Sequence, residues 1–188
     1  MELIRYIKEW CGECYYEDKD GIRRRCFFKS MVDRDFHPVR LTYEKVKDEM
    51  ELIQSCKVPY VPEYYEIIKM TDDEFAVLTQ WIEGEELTGY VMTNGDIDGD
   101  KMKKQKKVLY NIGERLRKIH ESGIVHGDLN LSNILVQEDD TIIFVDLELC
   151  EELTKEGMEF DWYYISHVLD LGRDINTYEM YMKKIDEL

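Results

Sequence analysis

The sequence predicts an α+β fold in which a small β-rich part is followed by a mostly helical part. Up to about residue 85, short apolar and aromatic runs alternate with turns, as is typical of strands. Beyond residue 100, apolar side chains recur with helical spacing. The length of 188 residues is enough for one substantial core and short for two independent domains.

In the β-rich part, the runs LIRYI, CYY, CFF and FAVLTQWI predict strands of an antiparallel sheet. Residues 42–55, which lie between these runs, have helical periodicity instead. Glu49 falls on one helical stripe with the apolar Val46, Met50 and Ile53, so we expect its carboxylate on the packed face of this helix. A buried carboxylate needs a partner.

The second part begins with a predicted helix over 101–121, which Gly123 ends. Two short apolar strands, 134–136 and 141–145, are joined by an acidic turn and predict a hairpin. From about residue 158 the chain is expected to be mostly helical. We therefore predict an N-terminal lobe over 1–83 and a helical C-terminal lobe over 84–188.

Charge, hydropathy and cysteine content restrict the partners and the location of the protein. Lysine and arginine total 25 against 41 acidic residues, which gives a net charge of −16 and argues against nucleic acid as a partner. No apolar stretch reaches the length of a membrane span, and the charged MELIRYIKEW is unlike a secretory signal. Five scattered cysteines fit a reducing compartment, so we expect a cytoplasmic protein, with a protein partner possible.

The chemistry is concentrated in IVHGDLNLSNILV and in TIIFVDLE, which follows it. Asp128 lies in a polar loop, Asn133 stands at the mouth of a strand, and Asp146 ends a very apolar strand. If the two strands pair, these three side chains converge at one edge of the hairpin. Two carboxylates and an amide oxygen are a plausible ligand set for Mg²⁺.

This pattern resembles the catalytic loop of the protein-kinase-like superfamily, in which H-x-D-x-x-x-x-N is followed by a strand-terminal aspartate. The resemblance implies a bilobal fold that binds Mg-ATP between its lobes and transfers the γ-phosphoryl group to a hydroxyl. It implies that Asp128 orients and deprotonates the acceptor, and that Asn133 and Asp146 hold the metal.

The same resemblance assigns roles in the N-terminal part. Lys29, at the end of the CFF run, would contact the ATP phosphates and pair with Glu49. The backbone around Gln80, Trp81 and Ile82 would hydrogen-bond adenine. The simpler interpretation of Lys29 and Glu49 is a lysine on the surface and a glutamate on a frayed part of the helix.

Three further residues are expected to support the catalytic loop. His126 would be a structural hydrogen-bonding residue, as would His120 on the preceding helix. Asp161 falls on the packed face of a later helix, where kinase-like proteins carry an aspartate that accepts hydrogen bonds from the loop backbone. A simple helix N-cap is an equally consistent role for Asp161.

Within the superfamily, the chain is similar to small atypical kinases: the KEOPS-complex kinase, the RIO kinases and the lipopolysaccharide-core sugar kinases. Leu147 and Glu148 follow the metal aspartate, Asn130 replaces a lysine, and Gly12 is the only glycine near the expected phosphate-covering turn. The short stretch between Asp146 and Asp161 leaves no room for an activation segment or a peptide-docking platform, which argues against a peptide-directed kinase. A sugar or other small acceptor is favoured, because the KKIDEL end lacks the basic tail of the KEOPS kinase.

Three alternatives stay open. The chain could be an ATP-binding pseudokinase that acts through a partner, or a KEOPS-like or RIO-like Ser/Thr kinase or ATPase. The third alternative is a redox or zinc module, because Cys11 and Cys14 have the C-x-x-C spacing of such sites.

Residues 94–99 resemble the first half of a calcium-binding loop. We interpret them as a connecting loop.

Overall fold

The computed structural model describes residues 1–32, 42–88 and 99–188, the first five of the last range as backbone. These residues form two compact units. The first unit contains residues 1–51 and 62–82, and the second contains residues 52–61 and 83–188. The predicted α+β class is confirmed, with a β-rich N-terminal part and a helical C-terminal part.

The first unit is built on an antiparallel sheet of five strands in the order β1-β2-β3-β5-β4. Four of its strands match the predicted runs, and β4 is an addition. The PEYYEI sequence around the start of β4 does not alternate strictly between apolar and polar residues, so the sequence pattern does not predict this strand. The strands are β1 (Glu2–Lys8), β2 (Cys11–Glu17), β3 (Arg23–Val32), β4 (Tyr64–Lys69) and β5 (Glu74–Gln80).

Period-two alternation gives this sheet two apolar faces. One face carries a buried cluster made by Cys14, Cys26, Phe28 and Leu78. The other face packs against helix α1 (Tyr43–Cys56) through a cluster of Met31, Val46, Phe75 and Val77. The Lys45 N–H donates to Thr42 Oγ1 at 3.1 Å, which caps the first turn of α1. The predicted helix over 42–55 is confirmed.

The second unit contains the long helix α2 and the hairpin that the sequence predicts. Its elements are β6 (Glu85–Glu86), α2 (Gly99–Glu121), β7 (Ile124–Val125), a 3₁₀ turn (Leu131–Asn133), β8 (Ile134–Val136), β9 (Ile142–Phe144), β10 (Glu151–Glu152), α3 (Lys155–Val168) and α4 (Tyr178–Glu187). β8 pairs with β9, β6 pairs with β8, and β10 pairs with β7. Strands of two residues have no periodicity, so the sequence does not predict them.

The core of the second unit lies along α2. Ile112, Leu116 and Ile119 are fully buried, as the helical stripe predicts. The Tyr181 hydroxyl from α4 donates to the Leu109 carbonyl at 2.9 Å, which fixes α4 against α2. None of the helices among the described residues is long and apolar enough to cross a membrane.

Gly12 lies close to the turn at residues 9 and 10, which joins β1 to β2. Gly12 belongs to β2, where it is paired with Tyr6 on one side and Phe28 on the other. A Cβ at this position would overlap the Arg5 carbonyl oxygen of β1. The close approach of two strands therefore requires a glycine here. The calcium-like stretch over 94–98 lies outside the described residues.

The C-x-x-C alternative is not supported by the structure. Cys11 and Cys14 both lie within β2, and an offset of three residues along a strand places them on opposite faces. Two thiols on opposite faces cannot bind one metal or close an unstrained disulfide. Burial also raises the pKa of the Cys14 thiol to about 11, which keeps the thiol protonated and unreactive.

Candidate active site

The first unit holds the predicted phosphate-binding pair. Lys29 lies in the middle of the sheet, where β3 pairs it with Cys11 on one side and Val77 on the other. Glu49 lies on α1 and is buried, as its place on the apolar stripe predicts. Lys45 Nζ is 3.6 Å from Glu49 Oε1. Lys29 and Glu49 therefore belong to one compact unit, and the pairing between them stays a prediction.

The predicted adenine-binding segment has two of its three N–H groups already engaged. The Gln80 N–H donates to the Glu63 carbonyl at 2.7 Å, and the Trp81 N–H donates to the Arg25 carbonyl at 3.2 Å. No described group accepts a hydrogen bond from the Ile82 N–H. If the segment binds adenine through an N–H group, Ile82 supplies it.

In the second unit, Asp161 organises the loop that follows β7. Its carboxylate accepts from the His126 N–H at 2.8 Å, from the Gly127 N–H at 3.1 Å and from His120 Nε2 at 2.9 Å. Asp161 is fully buried within α3, well after the N-cap Thr154. The simple N-cap alternative for Asp161 is therefore wrong, and its carboxylate holds the loop backbone.

His126 connects this loop to the strand that ends near Asp146. Its Nε2 lies 3.1 Å from the Val145 carbonyl, and the Asp128 N–H donates to its Nδ1 at 3.3 Å. These two contacts assign the ring proton to Nε2 and require a neutral imidazole. Burial lowers the pKa of His126, against the opposing charge of Asp161, and this favours the neutral form.

Asp128 and Asn133 are in direct contact. Asn133 Nδ2 donates to the Asp128 carbonyl at 2.9 Å and to Asp128 Oδ2 at 3.2 Å. Because its amide nitrogen is used in this way, Asn133 Oδ1 remains available as an acceptor, and no described group donates to it. The amide of Asn133 is therefore oriented by Asp128.

Asn130 is a local cap for the 3₁₀ turn that ends at Asn133. Its side-chain oxygen accepts from the backbone N–H groups of Ser132 and Asn133, at 3.0 and 3.1 Å. This is the structural use of the residue that replaces the lysine of peptide-directed kinases. The sequence signal was present, because asparagine is among the preferred cap residues.

Asp146 follows β9 in a left-handed backbone conformation, with φ of 63°. The preceding Val145 N–H donates to the Asn133 carbonyl at 2.9 Å, and the Val145 carbonyl lies beside His126. These contacts bring the Asp146 segment to the loop that carries Asp128 and Asn133. A non-glycine residue at positive φ is uncommon and often marks a functional site.

A comparison with known protein families identifies the family of this chain. Residues 12–169 match the model of the family described as the protein kinase domain. The chain belongs to the protein kinase domain family. The predicted protein-kinase-like superfamily is thereby confirmed, and the predicted kinase domain with it.

The relatives of this kinase domain have names of two kinds: some refer to tRNA threonylcarbamoyladenosine biosynthesis or the KEOPS complex, and others to protein kinases. It is 35% identical over 133 residues to a probable bifunctional tRNA threonylcarbamoyladenosine biosynthesis protein of Methanosphaera stadtmanae, covering 68% of this chain and 22% of the relative. It is 27% identical over 156 residues to the KEOPS complex subunit Bud32 of Pyrococcus abyssi, covering 80% and 63%. It is 26% identical over 148 residues to the serine/threonine-protein kinase cds1 of Schizosaccharomyces pombe, covering 76% and 31%. The chain thus spans less than two thirds of each relative.

One structural requirement of this kinase domain is invisible in the sequence pattern. Gly127, between His126 and Asp128, has φ of 79°, and a Cβ there would overlap the carbonyl oxygen of Leu149. The segment after Asp146 therefore passes directly over the loop backbone. Only the three-dimensional path of residues 147–150 explains why glycine stands at this position.

The same path accounts for residues 147–153 of the kinase domain. β10 pairs with β7, and the Leu153 N–H donates to the Gly123 carbonyl at 2.8 Å. Thr154 then caps α3 directly through its bond from the Gly157 N–H. The segment between Asp146 and α3 is short, as the residue count predicts, and the pairing of β10 docks it on β7.

Proposed function

We propose that this kinase domain is an ATP-dependent phosphotransferase in which Asp128 acts as the base. The observation that carries the proposal is the contact network of Asp128, Asn133 and the Asp146 segment, held together by His126 and Asp161. In the proposed step, the acceptor oxygen bonds to the γ-phosphorus, the bond to ADP breaks, and Asp128 takes the acceptor proton. The carboxylate needs a fixed position for this role, and Asn133 Nδ2 provides it through one hydrogen bond to Asp128 Oδ2 and one to the Asp128 main-chain carbonyl.

The donor set of the loop fits a magnesium ion. Asn133 Oδ1 and the Asp146 carboxylate are hard oxygen ligands of the kind that Mg²⁺ prefers, and the described residues contain no cysteine or histidine cluster suited to a softer metal. We propose Asn133 and Asp146 as the ligands. When bound, the ion would neutralise charge on the ATP phosphates.

The first unit would supply the remaining nucleotide contacts. We propose that Lys29 contacts phosphate, that Glu49 positions Lys29, and that the segment ending at Ile82 binds adenine. The functional lobes would be 1–83 and 84–188, which the unit boundary between Ile82 and Glu83 supports. Glu49 is buried on α1, the helix that packs against the sheet holding Lys29, and this placement supports its role.

Of the alternatives left open by the sequence, we favour a KEOPS-like kinase or ATPase over a sugar kinase. Two relatives carry names that refer to a KEOPS subunit or to tRNA threonylcarbamoyladenosine biosynthesis, and none of the three named relatives is a sugar kinase. The sugar acceptor therefore has no support among these relatives. A KEOPS-like role implies a protein partner. The segment between Asp146 and α3 is also short, which leaves no room for a peptide-docking platform.

Two further proposals accompany this reading. All five cysteines are free thiols, which supports a reducing, cytoplasmic setting.

A pseudokinase that binds ATP and acts only through its partner remains the second candidate, because Leu147 and Glu148 stand where a kinase of the common type has Phe-Gly. Turnover of ATP distinguishes the two candidates.

Calorimetric titration with ATP, with and without Mg²⁺, tests the nucleotide site. We expect Mg-dependent binding by the wild type and a loss of the Mg dependence in Asp146→Ala. Asp139→Ala is the matched control, because Asp139 lies in the turn of the same β8–β9 hairpin and, among the described residues, is bonded only to nearby Thr141. Equal Mg dependence in both variants would contradict Asp146 as a ligand, and absence of ATP binding by the wild type would contradict the proposed function.

A further inference from the structure

A buried acid in the first unit lies outside the residues considered so far. Glu13 of β2 is only 3% exposed. Its two carboxylate oxygens are bound by two arginines: Arg5 Nε lies 2.7 Å from Oε2, and Arg25 Nε contacts Oε1. Both arginines remain substantially exposed. The carboxylate thus fixes two long side chains that would otherwise move freely.

Both guanidinium groups lie against one tryptophan. The Arg5 and Arg25 guanidinium carbons are 5.4 and 5.0 Å from the centroid of the Trp81 ring. These distances are within the range of cation–π attraction. The Trp81 N–H also donates to the Arg25 carbonyl at 3.2 Å, so Arg25 holds Trp81 through its backbone and its side chain.

Trp81 immediately precedes Ile82, whose N–H is unengaged among the described residues. A small rotation of the Trp81 backbone would redirect this N–H group. We infer that Glu13 is a positioning residue: through Arg5 and Arg25 it fixes Trp81, and so aligns the Ile82 main chain toward the base of a bound nucleotide. This inference rests on the proposed function, because it takes the segment ending at Ile82 as the adenine site.

The alternative is that the cluster only stabilises the sheet. Two features favour positioning. Both arginines converge on Trp81, which lies beyond the end of β5 and outside the strand ladder. The hydrogen bond from Arg25 also holds Glu13 ionised by lowering its pKa, so the two guanidinium groups have a charged anchor at neutral pH.

Nucleotide titration of Glu13→Gln tests the inference. The variant removes the charge and keeps the shape of the side chain. We expect the Kd for Mg-ATP to rise about tenfold, the equivalent of one hydrogen bond to the base. The Kd for Mg-tripolyphosphate, which has no base, should stay within about twofold, because the phosphate contacts are unaffected. Glu2→Gln, which breaks the exposed Glu2–Arg23 pair of the same sheet, is the control and should change neither constant.

A purely structural role gives a different result. Loss of affinity for both ligands, or for neither, would overturn the inference. If Glu13→Gln does not fold, Arg5→Gln replaces it, because the Arg25 contact to Glu13 is retained; its Kd for Mg-ATP should rise about threefold, and an unchanged Kd would overturn the inference. Trp81→Phe combined with Glu13→Gln should lose no more affinity than the larger single effect. Absence of Mg-ATP binding by the wild type would instead defeat the proposed function itself.

Discussion

Replacing Asp161 by asparagine should destabilise the loop that carries Asp128 without creating a cavity. The wild-type carboxylate accepts from three donors at 2.8, 2.9 and 3.1 Å, and it is fully buried. Asparagine offers one oxygen. In its better orientation, that oxygen serves the His126 N–H and His120 Nε2, and its NH₂ group then faces the Gly127 N–H.

The cost follows from this arrangement. One charge-assisted hydrogen bond is lost and a buried N–H is left opposite another donor, which together cost about 2–3 kcal/mol. Alanine would lose all three bonds and cost roughly 4–5 kcal/mol, the range for breaking a buried charged network. Glu159→Gln on the same helix removes an exposed pair with Lys155 and should cost less than about 0.5 kcal/mol.

Amide hydrogen exchange measures this effect locally. A loss of 2–3 kcal/mol predicts exchange at Gly127 faster by about 30-fold to 150-fold in Asp161→Asn than in the wild type, if the loop opens locally. Urea unfolding of the same variants gives the global value. Exchange and stability in Asp161→Asn that match those of Glu159→Gln would refute the reasoning that the carboxylate holds the loop.

Three further predictions concern the same loop. Gly127→Ala should cost more than Gly21→Ala in urea unfolding, because both glycines have positive φ (79° and 74°) and only at Gly127 would the Cβ overlap backbone; equal costs would contradict the close approach of Leu149. The lowered pKa of His126 means that the unfolded chain takes up this proton first, so stability is full above about pH 6.5 and falls below it, by up to about 1.4 kcal/mol per pH unit. His126→Gln should flatten that slope between pH 6.5 and 5.5, and an unchanged slope would refute the assignment. Asn130→Ala should cost about 1 kcal/mol in the same assay through loss of the cap, and a stability equal to wild type would show that the cap is dispensable.

The sequence predicts most of this fold because its elements are periodic. The stripe that contains Glu49 predicts both the helix and the burial of a carboxylate, and the β8–β9 hairpin follows from two apolar runs around an acidic turn. What escapes prediction depends on contacts between distant segments. Gly12 and Gly127 are required by strands and loops that pass close to their backbones, and no local pattern records such an approach.

The candidate site is also only partly predictable from the sequence. The spacing of Asp128, Asn133 and Asp146 is readable, because loop and strand signals place each residue at the edge of one hairpin. The double hydrogen bond of His126 and the Glu13 cluster are not readable, because both depend on the register between separate strands and loops. Residue type alone could not separate Cys11 and Cys14 from a chelating pair; the strand conformation does.

Turnover of ATP labelled in the γ-phosphoryl group tests the central claim most directly. Wild type, Asp128→Asn and Asp139→Asn would be compared with Mg²⁺ present, with parallel measurement of ATP affinity. A positioned base contributes about 10²-fold to 10⁴-fold to the rate, so Asp128→Asn should lose at least about a hundredfold in turnover and keep its ATP affinity within about threefold. Asp139→Asn should match the wild type. Turnover by Asp128→Asn at the wild-type rate would contradict the assignment of Asp128 as the base.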